Sequence, residues 1–299
     1  MRVLLIHNPK AGDDDHAREH LVELATAAGH QLTYVRSKDD WKSGLDEAPE
    51  LVVVAGGDGT VAEVARATAG REIPLTILPA GTANNIAGEL GLSGIAHEAL
   101  IAGWTRGTLR PFDLGTASGP WGHTTFLESV GVGALAALMA EIDEGDSGYV
   151  NELEAREERL EAALEVLQGI VGGNPGVPCE LDIDGQHVRG EYLLVEVLNF
   201  GAAGPNLRLA PGADGSDGRL DVVLVGASDR GILTRHLQAS RTEPRPSGLW
   251  QVHQASRIRL RCDGSLLHID DELWRSDGER MEVVMEIERA ALRVLVPGR

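Results

Sequence analysis

The first hundred residues alternate between short apolar runs and segments with helical periodicity. Four runs have the length and composition of strands: residues 3–6, 31–35, 51–54 and 74–78. Three segments have the spacing of amphipathic helices: residues 17–28, 61–69 and 84–90. Such alternation predicts a parallel sheet with helices on both faces, because parallel neighbours need a crossover connection.

The pattern changes near Thr108. From there, apolar runs of strand length dominate, and the main interruption is a helical stretch at about residues 134–171. Asp184-Gly185 and Asp263-Gly264 are dipeptides that favour tight turns between alternating runs, so each predicts a hairpin. The second half is therefore predicted to be a mainly antiparallel β domain with helical insertions.

The charge and hydropathy of the chain exclude several classes of function. The formal net charge is −19 at pH 7, which argues against non-specific binding to nucleic acid or to anionic membranes. No segment approaches the roughly 18 apolar residues of a membrane-spanning helix, and the apolar residues 1–6 are too few for a signal peptide. We therefore expect a cytoplasmic protein with no nucleic-acid partner and no transmembrane segment.

The cysteines and histidines show no metal-binding spacing. Cys179 and Cys262 form neither a disulfide framework nor a metal cluster, so we interpret both as small buried hydrophobic residues. His7, His123 and His268 are interpreted as packing or surface residues, since no ligand-like spacing joins them.

A glycine-rich turn follows the most apolar predicted strand. Gly56-Gly57-Asp58-Gly59-Thr60 lies between residues 51–54 and the next predicted helix. Glycines let the backbone bend tightly and bring its N–H groups close to a phosphate, and a helix N-terminus favours negative charge. Asp58 is the only acid in the turn and could organise Mg²⁺. Alternatively, Thr60 and Glu63 match a capping box, so part of the signature could be helix capping.

A second turn of the same kind follows the next predicted strand. Residues 79–85 again place a glycine, a hydroxyl and polar side chains before a helix, with Gly81, Thr82 and Asn84 as the central residues. Neighbouring turns at the carboxyl edge of a parallel sheet are where such folds bind ligands. Thr82 and Asn84 could equally cap the helix. The two turns together favour a phosphate site.

Seven segments, in order along nearly the whole chain, match motifs of one family: residues 8–12, 56–60, 79–85, 113–115, 199–201, 209–221 and 270–272. The sequence thus resembles the diacylglycerol kinase catalytic domain and its relatives, which include sphingosine kinases, bacterial lipid kinases and, more distantly, NAD kinases. The resemblance implies a Rossmann-like nucleotide domain at residues 1–108 and a β-sandwich substrate domain at residues 109–287. The last strand, about 288–299, is a candidate to return to the first domain.

The resemblance also implies roles for individual residues. ATP and its Mg²⁺ would be bound by a set of residues from both turns and the first strand: Asn8, Gly56, Gly57, Asp58, Gly59, Thr60, Glu63, Gly81, Thr82 and Asn85. Asp58 and Asp113 would belong to the Mg²⁺ network, and Glu272 would be the general base. Asp217, with main-chain oxygens near Asp214 and Arg219, would form a structural metal loop.

The implied activity is phosphorylation of a diacylglycerol-like or sphingoid-like hydroxyl, with the lipid met peripherally at a membrane surface. The sequence leaves the oligomeric state open, with a homodimer as one candidate. Two departures bear on it: Asn85 replaces an aspartate of the family and Asp271 replaces a glycine. A kinase of a soluble substrate, akin to NAD kinase, and a catalytically weak ATP-binding sensor stay open as alternatives. A lipid slot could be lined by residues 127–139, although the sequence alone favours ordinary helix core for residues 135–138.

Overall fold

The computed structural model describes residues 1–11, 18–238, 249–263, 266–276 and 280–298. The chain divides into two compact units. One consists of Met1–Asp113 together with Arg289–Arg299, and the other of Leu114–Glu288. The sequence predicts the boundary between the domains at about residue 108 and a returning strand at about residues 288–299.

The first unit alternates strands and helices. In chain order they are β1 (Arg2–His7), α1 (Arg18–Ala27), β2 (Gln31–Arg36), α2 (Lys42–Asp46), β3 (Leu51–Gly56), α3 (Asp58–Thr68), β4 (Leu75–Pro79), α4 (Asn85–Glu89) and α5 (His97–Gly103). A short 3-10 turn, Trp104–Arg106, leads into β5 (Thr108–Gly119), which continues into the second unit.

The sheet of the first unit is parallel. Its strand order is β17-β4-β3-β1-β2, where β17 (Met281–Val296) enters through its last residues and pairs at Val294 with Leu75. All six residues of β3 are buried, as its apolar run predicts for a central strand covered on both faces. The predicted parallel sheet is therefore confirmed.

The second unit is mainly β. Its strands are β6 (Gly122–Phe126), β7 (Ser129–Gly133), β8 (Val177–Ile183), β9 (Gln186–Leu198), β10 (Ala202–Ala203), β11 (Leu207–Arg208), β12 (Leu220–Gly226), β13 (Gln251–Ala255), β14 (Arg257–Cys262), β15 (Leu266–Ile269) and β16 (Glu272–Arg275). Its helices are α6 (Ala134–Glu144), α7 (Arg156–Gly173) and α8 (Arg230–Gln238), with 3-10 turns at Gly148–Glu152 and Ala227–Asp229.

The long strand β9 joins two antiparallel sheets. Its first half pairs with β8, which continues through β14 to β17. Its second half pairs with β7 on one side and β12 on the other. Val130 and Val222 from one sheet and Ile258 and Val283 from the other belong to one buried apolar cluster. The predicted mainly antiparallel sandwich is confirmed.

Helices α6, α7 and α8 cover the other face of the β7-β9-β12 sheet. Leu135 and Leu138 of α6 and Leu167 of α7 pack with strand residues in a second buried cluster. Leu135 and Leu138, two of the leucines considered as lipid-slot residues, are therefore packed as helix core on the apolar face of α6.

The two predicted hairpins have different outcomes. Asp184-Gly185 does connect the antiparallel strands β8 and β9. The Asp263-Gly264 prediction is wrong, since β14 pairs with β8 and β17 while β15 pairs with β7 and β16; Gly264 itself lies outside the described residues. The hairpin is formed one strand later, through Asp270 and Asp271 between β15 and β16.

Both cysteines are buried, as predicted, with exposed fractions of 2% for Cys179 and 0% for Cys262. They lie directly opposite each other on β8 and β14. Within the described part of the chain, no helix combines the length and the apolarity needed to cross a bilayer.

Candidate functional site

The first candidate loop turns directly from β3 into α3. Gly57 is the N-cap residue of α3 and has an extended backbone, and no side chain caps the helix. The capping-box interpretation of Thr60 and Glu63 is wrong, because the helix begins at Asp58 and Thr60 already lies in its first turn. Glu63 lies one turn further along and is exposed. The N-terminal amide groups of α3 therefore follow directly after Gly56 and Gly57.

The two loops touch through their glycines. β3 and β4 are parallel neighbours that pair at Gly56 and Pro79, so both chains leave the sheet side by side. A Cβ atom added to Gly81 would lie 2.3 Å from the Gly57 Cα atom, and one added to Gly57 would lie 3.0 Å from the Gly81 Cα atom. Only glycine at these positions allows so close a contact between two backbones.

The second loop is closed by Asn84. Its backbone has φ +54°, a left-handed conformation that asparagine tolerates better than most residues. Its side-chain Oδ1 accepts the Gly81 N–H at 2.8 Å and its Nδ2 donates to the Gly81 carbonyl at 2.7 Å. The side chain of Asn84 therefore does not cap α4 but shapes the loop that precedes it.

Asp58 connects the first loop to the second. Its Oδ2 accepts the Asn85 N–H and its Oδ1 accepts the Ile86 N–H, both at 3.1 Å. Asp58 thus supplies to α4 the acceptors that a capping residue normally provides locally. These two bonds fix the direction of the carboxylate. Asn85 itself is buried, with an exposed fraction of 4%.

Asn8 brings the end of β1 to the same edge. Its N–H donates to the Ala55 carbonyl at 2.8 Å, and its Nδ2 donates to the Thr60 Oγ1 at 3.2 Å. The structure therefore brings together, at the carboxyl ends of β1, β3 and β4, most of the predicted nucleotide residues: Asn8, Gly56, Gly57, Asp58, Gly59, Thr60, Gly81 and Asn85. Thr82 lies half-buried within the second loop.

Asp113 has a visible role in the fold of the first unit. It is 2% exposed, and its Oδ1 accepts the Ala290 N–H at 2.7 Å. Ala290 has φ +52°, which is unfavourable for a residue with a Cβ atom. The carboxylate therefore holds a strained position in β17.

The candidate base lies at the start of a short edge strand in the second unit. Glu272 is exposed and pairs across the β15–β16 hairpin with Ile269. The residue with positive φ in the turn is Asp270, at +50°, and not Asp271, which replaces the family's glycine. The Asp270 carboxylate accepts the N–H groups of Leu127, Glu128 and Ser129 at 2.8–3.3 Å.

The predicted metal loop is held mainly by its own hydrogen bonds. Asp214 Oδ1 accepts the Ser216 N–H at 3.0 Å, and Asp217 Oδ1 accepts the Arg219 N–H at 2.8 Å. Across the residues that the structure describes, no group of three or more histidine, cysteine or carboxylate side chains is spaced to hold a metal ion. Side chains alone therefore do not build a site here, and a cation would need the main-chain oxygens that the family resemblance implies.

A buried acid next to this loop was not identified from the sequence. Asp221 is 3% exposed, and its Oδ2 is buried without a hydrogen-bond partner among the described residues. Burial raises its pKa to about 6; the Asp217 carboxylate acts in the same direction, and a hydrogen bond with Gln254 opposes the shift.

A second missed feature is a buried pair of ionisable side chains. His268, interpreted from the sequence as a packing or surface residue, lies 3.0 Å from Glu196, and their side chains are 4% and 0% exposed. Burial disfavours the charged imidazole, but the Glu196 carboxylate and the Asp270 carbonyl outweigh it, so the pKa of His268 is raised. A glutamate within the otherwise apolar run 192–198 was the available signal.

Two family models match the chain. The diacylglycerol kinase catalytic domain matches residues 2–117, and the YegS C-terminal NAD kinase beta sandwich-like domain matches residues 136–296. These matches confirm the resemblance to diacylglycerol kinases and bacterial lipid kinases.

Two curated relatives illustrate the similarity. A "Diacylglycerol kinase" of Mycobacterium tuberculosis is 28% identical over 229 residues, which cover 75% of this chain and 64% of the relative. A "Probable lipid kinase YegS-like" of Pseudomonas fluorescens is 30% identical over 245 residues, which cover 76% of this chain and 73% of the relative. The chain therefore spans less than two thirds of the length of the mycobacterial relative.

Solved structures support the same fold. A diacylglycerol kinase from Bacillus anthracis superposes with a TM-score of 0.72 at 22% identity, covering 99% of this chain and 97% of that one. Yeast NADH kinase complexed with NADH superposes with a TM-score of 0.51 at 11% identity, covering 100% of this chain and 83% of the yeast chain. At these identities the likeness concerns the fold alone.

Proposed function

Because this chain belongs to the family of the diacylglycerol kinase catalytic domain and YegS-type lipid kinases, we propose that it phosphorylates a lipid hydroxyl with ATP. The observation that carries the proposal is the contact between two glycine loops at the carboxyl edge of the parallel sheet, with α3 beginning directly behind one of them. Such an edge can bring several backbone N–H groups to one phosphate chain.

The first-unit residues would hold the nucleotide through backbone groups more than through side chains. Gly57 and Gly81 leave room that a Cβ atom would fill, and Asn8 ties the first turn of α3 to β1. Asp58 and Asp113 are the carboxylates that would hold Mg²⁺, whose preferred ligands are oxygens. When bound, Mg²⁺ would neutralise phosphate charge, which phosphoryl transfer needs more than covalent help.

Glu272 would accept the proton of the acceptor hydroxyl. The two-residue turn before β16 fixes where the backbone of Glu272 lies, and its exposed side chain can reach an acceptor hydroxyl from there. General-base catalysis contributes about 10²–10⁴-fold when the base is well placed. The acceptor would be a diacylglycerol-like or sphingoid-like lipid, taken from the surface of a membrane by a cytoplasmic protein.

Asn85 favours a second candidate function. It places a buried neutral amide where the family has a carboxylate, so affinity for Mg²⁺ should be lower than in relatives. A protein that binds ATP but transfers phosphate weakly would then act as a nucleotide sensor.

The test is phosphate transfer from labelled ATP and Mg²⁺ to diacylglycerol or sphingoid bases in mixed micelles, with NAD as a soluble acceptor. Labelled lipid supports the proposal, labelled NAD points to a soluble-substrate kinase, and ATP binding without transfer points to the sensor.

Glu272→Gln tests the base separately. We expect transfer to fall by about 10²–10⁴-fold while ATP affinity stays unchanged. The matched control is Glu286→Gln, which removes the charge of an exposed strand glutamate paired with Arg257 at 3.4 Å and should leave the rate unchanged. Equal rates for the Glu272 variant and the wild type would exclude Glu272 as the base.

A further inference from the structure

Glu196 and His268 are joined across a glycine within one row of the second unit's sheet. Gly131 on β7 pairs with Glu196 on β9 and with His268 on β15, so the three residues lie side by side on adjacent strands. The outer two strands are about 10 Å apart. A Cβ atom on Gly131 would lie 2.0 Å from Glu196 Oε1, so the carboxylate lies directly over the glycine on its way to the imidazole.

The row faces the helical layer. Val130 and Val132, on either side of Gly131, belong to the sandwich core, so Gly131 and its row partners face the opposite side of the sheet. Helix α6 contacts both β9 and β15 on that side. The pair is buried, with side-chain exposures of 0% for Glu196 and 4% for His268.

The second ring nitrogen of His268 reaches the turn that precedes Glu272. His268 Nδ1 lies 3.0 Å from the Asp270 carbonyl oxygen, and Nε2 lies 3.0 Å and 3.1 Å from the two Glu196 oxygens. A carbonyl oxygen can only accept, so Nδ1 carries a hydrogen, and an ionised Glu196 requires Nε2 to donate as well. The pair therefore fixes both the orientation of the ring and the position of the Asp270 carbonyl.

Asp270 is held from three sides. Its carbonyl accepts from His268, its N–H donates to the Ser129 carbonyl at 2.8 Å, and its carboxylate accepts the amides of residues 127–129. These bonds maintain φ +50° at a residue with a Cβ atom. Glu272 follows two residues later on β16, which ends the strand order of its sheet and pairs with β15.

A buried ion pair adds little stability compared with well-packed apolar residues. Here the pair restricts geometry instead. Glu196 holds the imidazole of His268, and the imidazole in turn holds the backbone carbonyl of Asp270. We propose that Glu196 and His268 are positioning residues that hold the Asp270-Asp271 turn so that Glu272 is presented in one orientation. This inference rests on the proposed function of Glu272 as the base.

The main test compares His268→Gln with His236→Gln. His236 is a buried histidine of the same unit, on α8, and its ring packs against Trp250. We expect His268→Gln to lower kcat for lipid phosphorylation by about 10²-fold, the effect of misplacing a catalytic group by about 1 Å, with ATP affinity unchanged. His236→Gln should leave kcat unchanged, even where it lowers Tm as much as His268→Gln does.

A readout that does not need activity is hydrogen exchange at the amides of residues 127–129, which donate to the Asp270 carboxylate. Exchange should rise at least tenfold in His268→Gln and stay unchanged in His236→Gln. If His268→Gln does not fold, Glu196→Gln carries the test, since it keeps the imidazole and leaves a neutral amide beside it. The double variant should resemble the stronger single variant, because both changes break the same connection.

The outcomes distinguish the positioning role of Glu196 and His268 from the proposed role of Glu272 as the base. Unchanged exchange at residues 127–129, or an unchanged kcat in an active enzyme, overturns the positioning role. If Glu272→Gln retains full transfer, the proposed base is wrong, and the exchange measurement still decides whether the pair holds the turn.

Discussion

Replacing Gly81 by alanine tests the contact between the two loops. The added Cβ atom would lie 2.3 Å from the Gly57 Cα atom, 2.9 Å from Asn84 Oδ1 and 3.3 Å from the Gly57 N atom. Ordinary carbon–carbon contacts begin at about 3.5 Å, so the loops must separate by about 1.2 Å. Neither contacting atom of Gly57 can rotate away, because both belong to the backbone.

We expect this variant to lose about 3 kcal/mol of stability, near the upper end of ordinary overpacking, which corresponds to a fall in Tm of roughly 5 °C for a chain of 299 residues. If the loops bind ATP as proposed, the affinity for ATP should fall as well. The measurements are thermal and urea denaturation, together with calorimetric titration with ATP and Mg²⁺.

Two further glycines provide a graded comparison. A Cβ atom on Gly57 would lie 3.0 Å from the Gly81 Cα atom, so Gly57→Ala should be less harmful. On Gly88, inside α4, the nearest atom would be Ser93 Oγ at 3.7 Å, so Gly88→Ala should be neutral or stabilising by up to about 1 kcal/mol. Equal stability and equal ATP affinity of the Gly81 and Gly88 variants would refute the loop contact.

Three other changes have expected outcomes. Asp58→Asn keeps one carbonyl oxygen for two amides, so it should cost about 1–2 kcal/mol in urea denaturation; no loss would contradict its capping role. Asn85→Asp adds a carboxylate at a buried position beside Asp58, so it should destabilise the protein without Mg²⁺ and strengthen Mg²⁺-dependent ATP binding, and a loss of that binding would count against the proposed Mg²⁺ site. The raised pKa of His268 adds stability that is fully present below pH 6.5 and lost as pH rises through the native pKa. The unfolding free energy of the wild type should therefore fall relative to that of Glu196→Gln as the pH rises above 6.5, and parallel pH profiles would contradict the pairing.

The sequence was sufficient for the elements whose signal is local. The apolar run of β3, the turn glycines and the hairpin at Asp184-Gly185 were all predicted, because β-branched runs and φ-dependent residues act over a few positions. The Asp263-Gly264 hairpin was wrong for the complementary reason. A turn dipeptide shows where the chain bends, but strand partners are chosen by burial across the whole sheet.

Helix capping in α3 and α4 likewise depended on residues that are distant in sequence as well as on local spacing. Thr60 and Glu63 have the spacing of a capping box, yet α3 begins two residues earlier. The acceptors for the first amides of α4 come from Asp58, 27 residues before the first of them. Local spacing identifies a residue that is able to cap a helix, but only the folded chain determines which acceptor reaches the amides.

The order of strand and glycine signals alone determined the two architectures of this protein and the loops of its candidate nucleotide site, since backbone conformation depends on neighbouring residues. Only the tertiary structure showed why positions 57 and 81 require glycine, namely that the two backbones touch there. It alone also showed that Glu196 reaches His268 across Gly131. These residues are 24 and 72 positions apart, and contacts at such separations depend on how the strands assemble.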